Sequence, residues 1–363
     1  MTTKHHALKL KPLSRQVIVI TGATSGIGLS TARAAAARGA SLVLAARNEE
    51  ALKSVVADLA GKGAKVVYAV ADVGLERDVR AIADLAAAQF GGFDTWINNA
   101  GVSIVGPLSE TPIEDQRRLF ETNYWGVVYG SLVAVEHFRG REGGGALINL
   151  GSVLSDMAVP LRGAYCASKH AVKGFTNALR MELLAQRAPV SLTLIKPSSI
   201  DTPFKDHARN LTDAPIKNPP PVYATPLVAQ AILYAAEHRV RELTVGAGGR
   251  FLTVLNGLAP FAVEPLIAWT LPALSRERAG ERRVLGDNLH HAGPDLRERS
   301  FYKNVRESSL YASAQMRPKA TFSVVLFAAA AAAAAFTLGG RRRPGLERPG
   351  KSKRRAPTAS SQP

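Results

Sequence analysis

Tyr165-Cys-Ala-Ser-Lys169 is the segment of this chain whose residue types and spacing most directly suggest chemistry. On a helix the i, i+4 separation puts phenol and ammonium on one face. A tyrosine with an unperturbed pKa of about 10 exchanges protons poorly near neutrality until its anion is stabilised. A cation about 4 Å away, at an effective dielectric near 20, contributes about 4 kcal/mol, on the order of three pKa units. Lys169 is therefore expected to depress Tyr165. Because an isolated Tyr-x-x-x-Lys is common on ordinary amphipathic helices, its neighbours matter. Gly151-Ser152 closes the preceding strand thirteen residues upstream, and Asn123 lies in Thr122-Asn-Tyr-Trp-Gly126 on the long helix before it. Cys166 is turned about 100° away from the tyrosine and is expected to pack rather than react. As the single cysteine it excludes an intrachain disulfide, and His5, His6, His170, His290 and His291 lack a carboxylate or cysteine partner at ligand spacing, so no metal is expected.

A second group of residues is suited to holding phosphate. Val17-Ile-Val-Ile-Thr-Gly-Ala-Thr-Ser-Gly-Ile-Gly28 places glycines just after a strand and just before a helix. Gly22 permits a tight turn, Gly26 lets backbone approach a pyrophosphate, and Gly28 lets helix and strand pack closely, while the helix N-terminus offers N–H groups and a positive dipole. At the end of the second strand, Leu42-Val-Leu-Ala-Ala46-Arg47 has no acid to hold a ribose 2′-hydroxyl. Arg47 could instead clamp a 2′-phosphate, which favours NADP(H) over NAD(H).

The glycine spacing is Gly-x-x-x-Gly-x-Gly, and here the chain resembles the short-chain dehydrogenase/reductase family. Thr21-Gly-Ala-Thr-Ser-Gly-Ile-Gly28 matches that family's cofactor motif, implying contacts from Gly22, Thr24, Ser25, Gly26, Ile27 and Gly28. Asn98-Asn99-Ala100-Gly101 matches a second motif that steadies the sheet and lines the adenosine side, and Asp72-Val73 resembles the pair at the adenine ring. The resemblance implies that Tyr165 gives or takes the hydroxyl proton and Ser152 positions the substrate oxygen. It further implies that Lys169 binds the nicotinamide ribose and depresses the phenol, while Asn123 holds a water in the proton relay. Pro197-Ser-Ser-Ile-Asp-Thr202 resembles a Pro-Gly-x-Ile-x-Thr segment, implying nicotinamide contacts from Pro197, Ile200 and Thr202. Ser198 stands where that pattern has glycine, and the local turn is expected to differ there.

These residues need a scaffold. From Gln16 to about Gly246, roughly two thirds of the chain, short apolar runs alternate with stretches of helical spacing, the rhythm of βαβ units. Seven strand-like runs, from Val17–Ile20 to Glu242–Val245, predict an α/β fold: a doubly wound parallel sheet of the Rossmann type with helices on both faces. Ile113–Phe138 reads as one long helix. Hydrophobic residues at 46% and charged ones at 21% exclude disorder throughout. The net charge of +17 invites a nucleic-acid reading until its location is considered. Residues 341–363 carry Arg341, Arg342, Arg343, Arg348, Lys351, Lys353, Arg354 and Arg355 against Glu347 alone, so no nucleic-acid partner is expected.

The expected organisation is a basic arm over residues 1–15, a catalytic domain over 16–250, a helical extension over 251–320, an alanine-rich apolar segment over 321–340 and a disordered basic tail over 341–363. Phe251–Leu271 is apolar but interrupted by Asn256, Pro260, Glu264 and Pro265, suiting a bent, surface-covering helix that serves as greasy lid or dimer contact. Leu274–Ala320 reads as charge-rich linker. Phe322–Gly340 favours monotopic contact with anionic lipid, or a plain helix, over a full span. The N-terminus lacks an apolar secretory region, so a cytoplasmic enzyme with membrane contact through 321–363 is expected. A homo-oligomer acting on a small, hydrophobic carbonyl or alcohol completes the expectation. The alternative is a protein that senses NADP(H), or docks through the basic tail.

Overall fold

Alternating side chains of the apolar runs decide which face of the sheet each residue joins. In the computed structural model, which describes residues 7–212, 215, 217–274, 286–293, 296–300, 302–318 and 321–323, seven parallel strands form one sheet. They are β1 (Val17–Thr21), β2 (Ser41–Ala46), β3 (Val66–Val70), β4 (Thr95–Asn98), β5 (Gly145–Leu150), β6 (Val190–Pro197) and β7 (Glu242–Val245). Their spatial order is β3-β2-β1-β4-β5-β6-β7, with Ile18 opposite Leu42 on one side and Thr95 on the other. The order reverses between β1 and β4, and ligands of open α/β sheets bind beyond the strand ends at such a point.

Ile18, Ile20, Leu42, Leu44, Ile97 and Ile148 point to one face, where α1 (Gly26–Ala36), α2 (Glu49–Gly61) and later α7 (Thr225–Glu237) cover them. Val19, Val43, Trp96 and Leu147 point to the other, covered by α3 (Glu76–Phe90), α5 (Gly126–Arg139) and α6 (Gly163–Ala185). With both faces covered, β5 is buried at every residue, as a central parallel strand should be. Each fully buried Leu or Ile contributes about 1.5–3 kcal/mol. Helix ends are capped locally: the Asn48 side chain accepts from the Ala51 N–H at 2.9 Å, and Gly91, at φ 74°, ends α3.

The expected long helix is interrupted. Ile113–Phe120 forms α4, Glu121–Trp125 forms a π-helical turn, and α5 follows. Periodicity alone does not reveal the extra residue in that turn, which carries Asn123. Such turns concentrate at functional sites.

Beyond β7, Phe251–Leu271 falls within α8 (Ala247–Leu258) and α9 (Pro260–Leu274), separated at Ala259. The reading of Leu274–Ala320 as linker is corrected for its described residues. Leu289 is fully buried, Val305–Arg306 pairs with Val222–Tyr223, and α10 (Leu310–Met316) bonds β7 through Gln315 and Thr244. Between these elements irregular polar contacts hold the segment: Arg299 donates to Asp201 at 2.8 Å, and Ser300 N–H donates to the same carboxylate at 2.9 Å. The described residues up to Met316 belong to one compact unit, and Arg317 begins a second. Among the described residues no helix is long and apolar enough to cross a membrane. From residue 324 onward, the alanine-rich segment and basic tail lie outside the described residues.

Candidate active site

The glycine turn is held against the second motif by threonine and asparagine. Thr21 Oγ1 donates to the Ile97 carbonyl at 3.2 Å and accepts from the N–H groups of Asn99 and Ala100 at 3.0 and 3.1 Å. Asn99 Nδ2 donates to the carbonyls of Thr21 and Gly22 at 2.9 and 3.0 Å. Gly22 sits at φ 66°, and a Cβ on Gly28 would fall 2.0 Å from the Gly22 carbonyl oxygen, so neither position tolerates a side chain. Asn98 is turned into the sheet instead, bonding Trp96, Ser131 and Asn149.

These turns open into one cavity of about 900 Å³. Gly22, Thr24, Ser25, Gly26, Ile27, Arg47, Asp72, Val73, Asn99, Ala100 and Gly101 line one end. Ser152, Tyr165, Lys169, Pro197, Ile200 and Thr202 line its middle. Gly28, packed behind the turn, and Asn123, wholly buried, are the sequence-predicted residues that do not line it. Ser198 is not at positive φ, so its turn needs no glycine, and its N–H donates to the Val245 carbonyl at 2.9 Å. Thr202 faces Gly26, whose added Cβ would stand 3.4 Å from that threonine.

Tyr165 lies one turn into α6, buried, with its ring 5.7 Å from that of Phe204. The Ser152 hydroxyl stands beside the phenol and opposes the rise in its pKa. It also caps the short turn after β5, accepting from the Leu154 N–H at 3.1 Å. The Lys169 ammonium donates to the Leu150 carbonyl at 2.8 Å and stands 5.7 Å from the centroid of the Tyr165 ring. The expectation of a depressed phenol is corrected here. Burial pushes Tyr165 up to about 12, against the opposing Ser152 hydroxyl and the nearby Arg162 charge. Burial also brings Lys169 down to about 8. Desolvation of both groups outweighs the attraction that spacing alone suggested. Asn123 Oδ1 accepts from the Val102 N–H at 2.8 Å, and its Nδ2 donates to the Val102 carbonyl at 3.0 Å and to Ser168 at 3.1 Å. Its two N–H groups are thus spent on holding the Gly101–Val102 backbone and α6 in place. Chemically, the middle of the cavity offers a protonated phenol, a hydroxyl and a buried ammonium around one point.

The family model for short chain dehydrogenase matches residues 16–212. An oxidoreductase of Bacillus subtilis, YxnA, is 44% identical over 321 residues, covering 88% of this chain and 90% of that one. The chain belongs to the short chain dehydrogenase family. Similar to this dehydrogenase are the 11-beta-hydroxysteroid dehydrogenase A of Arachis hypogaea, 32% identical over 71% of this chain and 75% of that one, and two solved structures. One is a Burkholderia phymatum family member in complex with NAD, at 28% identity and TM-score 0.62, covering 71% of this chain and 96% of that one. The other is an alcohol dehydrogenase from the archaeon Thermococcus sibiricus complexed with 5-hydroxy-NADP, at 26% identity and TM-score 0.56, covering 63% and 95%. This dehydrogenase is an oxidoreductase acting on CH–OH donors, which leaves the sensing or docking alternative without support.

Sequence reasoning missed how the dehydrogenase closes its cavity. Residues 286–293 and 296–300 form a strap at the end of the cavity lined by Arg47 and Asp72. Arg47 donates to the carbonyls of Leu289 at 3.3 Å, of His291 at 3.2 Å and of Asn288. Arg118 pairs with Asp72 and donates to the Leu289 carbonyl at 3.1 Å, while Asn48 donates to Gly293 at 3.0 Å and Gly26 N–H to Arg297 at 2.9 Å. His290 finds a carboxylate after all, bonding Asp115 at 2.8 Å, a partner 175 positions away that no local spacing discloses. At the opposite end, α8 and α9 present Leu252, Ile267 and Leu271 to the cavity. Arg162, which also lines it, carries no signal in a motif search. The position of a cation on a cavity wall is visible only in three dimensions.

Proposed function

We propose that this enzyme interconverts an alcohol and a carbonyl on a hydrophobic substrate with NADP(H), using Tyr165 as general acid/base. The observation that carries the reading is the meeting of the Tyr165 phenol, the Ser152 hydroxyl and the Lys169 ammonium on the cavity into which the glycine turn opens. The turn fits a dinucleotide because Gly22 and Gly26, both at positive φ, line the cavity in front of α1, while Gly28, whose added Cβ would meet the Gly22 carbonyl oxygen, lets α1 pack closely behind them. Arg47, with no acid at the end of β2, supports a 2′-phosphate at the adenosine end. Bound nicotinamide would supply or accept the hydride at the substrate carbon.

The chain's own residues handle the proton. At pH 7 a phenol near 12 is protonated, so Tyr165 stands ready to donate to the oxygen of a carbonyl as it becomes an alcohol. Ser152 orients that oxygen, and Lys169, mostly protonated with a pKa of about 8, stabilises the phenolate left behind. Asn123 acts through Val102 and Ser168, keeping the wall and the helix aligned. The apolar walls from α8, α9 and the described residues of the Phe204–Tyr223 loop support a hydrophobic substrate, and support a reading in which residues after 250 work together with the 16–250 domain. The basic residues of 341–363 support contact with an anionic membrane surface. The test is NADPH oxidation with a panel of hydrophobic ketones and aldehydes by wild type and Tyr165→Phe. Equal rates would end the mechanism.

A further inference from the structure

Arg162 precedes α6 and stands three residues before Tyr165, so the two share one helical turn. Its side chain is half-buried on the cavity wall, and desolvation there lowers its pKa. The neighbouring groups that act on its charge are the side chains of Tyr165, Tyr302 and Cys166. None is a carboxylate, and among the described residues no ion pair is formed by this guanidinium. A partly desolvated cation that faces a cavity without a counter-charge is suited to an anion entering that cavity. The chain bends to bring it there: Leu161, immediately before it, holds φ 64°, in the left-handed region that non-glycine residues avoid.

We propose that Arg162 binds an anionic group of the substrate, which is therefore an apolar carbonyl or alcohol compound bearing a carboxylate close to the reacting carbon. The inference rests on the reading of Tyr165 as acid/base and extends it to substrate class. Leu154, Met157 and Val159, with Leu252, Ile267 and Leu271 from the C-terminal helices, line the rest of the substrate end. A lone cation in such walls selects an amphipathic anion: head at Arg162, carbonyl at Tyr165, tail toward α8 and α9. A carboxylate suits the planar guanidinium, which can hold both oxygens at once.

The experiment compares 4-oxododecanoate with its methyl ester, two compounds differing in charge at one end, in NADPH oxidation by wild type and Arg162→Gln. Wild type should prefer the acid, and Arg162→Gln should raise KM for the acid on the order of fiftyfold, leaving the ester within about threefold. A further measurement needs no turnover: dodecanoate should raise the Tm of wild type and leave that of Arg162→Met unchanged. Equal use of acid and ester by wild type, or no dodecanoate shift, overturns the proposal. So does an equal loss of kcat on both substrates in Arg162→Gln with a displaced pH profile, which would make Arg162 an electrostatic neighbour of Tyr165 alone. Absence of turnover with both compounds, alongside a dodecanoate shift seen only in wild type, would sink the reductase reading and retain the anion site.

Discussion

The Lys169 ammonium lies 5.7 Å from the centre of the Tyr165 ring while it donates to the Leu150 carbonyl at 2.8 Å. The lysine is thus held by the end of β5, the strand that also delivers Ser152, and not by the phenol it faces. Removing the phenolic oxygen should leave this scaffold intact. Tyr165→Phe is expected to lose activity by about 10²–10⁴, the range of a single acid/base group, with an unchanged circular dichroism spectrum and NADPH affinity within about threefold. Steady-state rates and fluorescence titration check both halves.

Burial of Lys169 makes stability depend on pH in a defined direction. Its folded pKa of about 8 lies below the ordinary 10.5, so between those values the unfolded chain binds more protons and stability rises with pH. Its contribution is present above about 10.5 and lost as pH falls through about 8. The opposite effect of Tyr165, raised from 10.0 to about 12, sets in only above about 10. Denaturant unfolding of wild type at pH 7.5 and pH 9.5 should show a gain of about 2 kcal/mol that Lys169→Met lacks. A gain of the same size in both would disprove the assignment.

Arg47 spends three N–H groups on carbonyls of the strap. Arg47→Ala is expected to weaken NADPH by about tenfold to a hundredfold while NADH changes by less than about threefold, since only the former carries a 2′-phosphate. The ratio of the two Kd values, from titration of intrinsic fluorescence, decides it. Parallel loss of both cofactors would mean that Arg47 serves only to anchor the strap.

Leu289 is wholly buried among Val102, Ile104, Leu119, Ala164 and Tyr165. Leu289→Ala should cost about 2–5 kcal/mol where the strap docks. If that opening is local, residues 286–293 will gain hydrogen exchange while β4 and β5 keep theirs. Uniform acceleration across the sheet would show the strap to be part of the global fold.

Gly28 offers the sharpest steric test. An added methyl would stand 2.0 Å from the Gly22 carbonyl oxygen, which the Asn99 side chain also holds. Gly28→Ala should lower Tm and abolish NADPH binding together, whereas Gly63→Ala, with nothing within 4 Å of its added carbon but φ at 86°, should lower Tm modestly and leave binding intact.

Much of this was legible in residue order because parallel strands bury both faces and announce themselves as short apolar runs. The seven strands and their helices follow from Val17–Ile20 and its counterparts, and the glycines around residue 25 follow from turn geometry. Three things were not legible. The π turn at Glu121–Trp125 adds one residue to a helix without disturbing its apolar stripe. The strap is held by backbone carbonyls, which every residue possesses, so Asn288, Leu289 and His291 look like any linker. The phenol's raised pKa is the third, because Tyr-x-x-x-Lys spacing measures a charge separation and says nothing of desolvation, which here dominates.

Seven strands and every recognised motif end by Val245, yet a truncated chain stopping there would keep only part of the pocket. Arg47 would exchange three carbonyl acceptors for water, Gly26 would lose the carbonyl of Arg297, and the apolar floor made by Leu252 and Ile267 would be missing. A competent piece of this enzyme is therefore expected to extend at least to Arg297, well past the 16–212 stretch by which its kinship is detected.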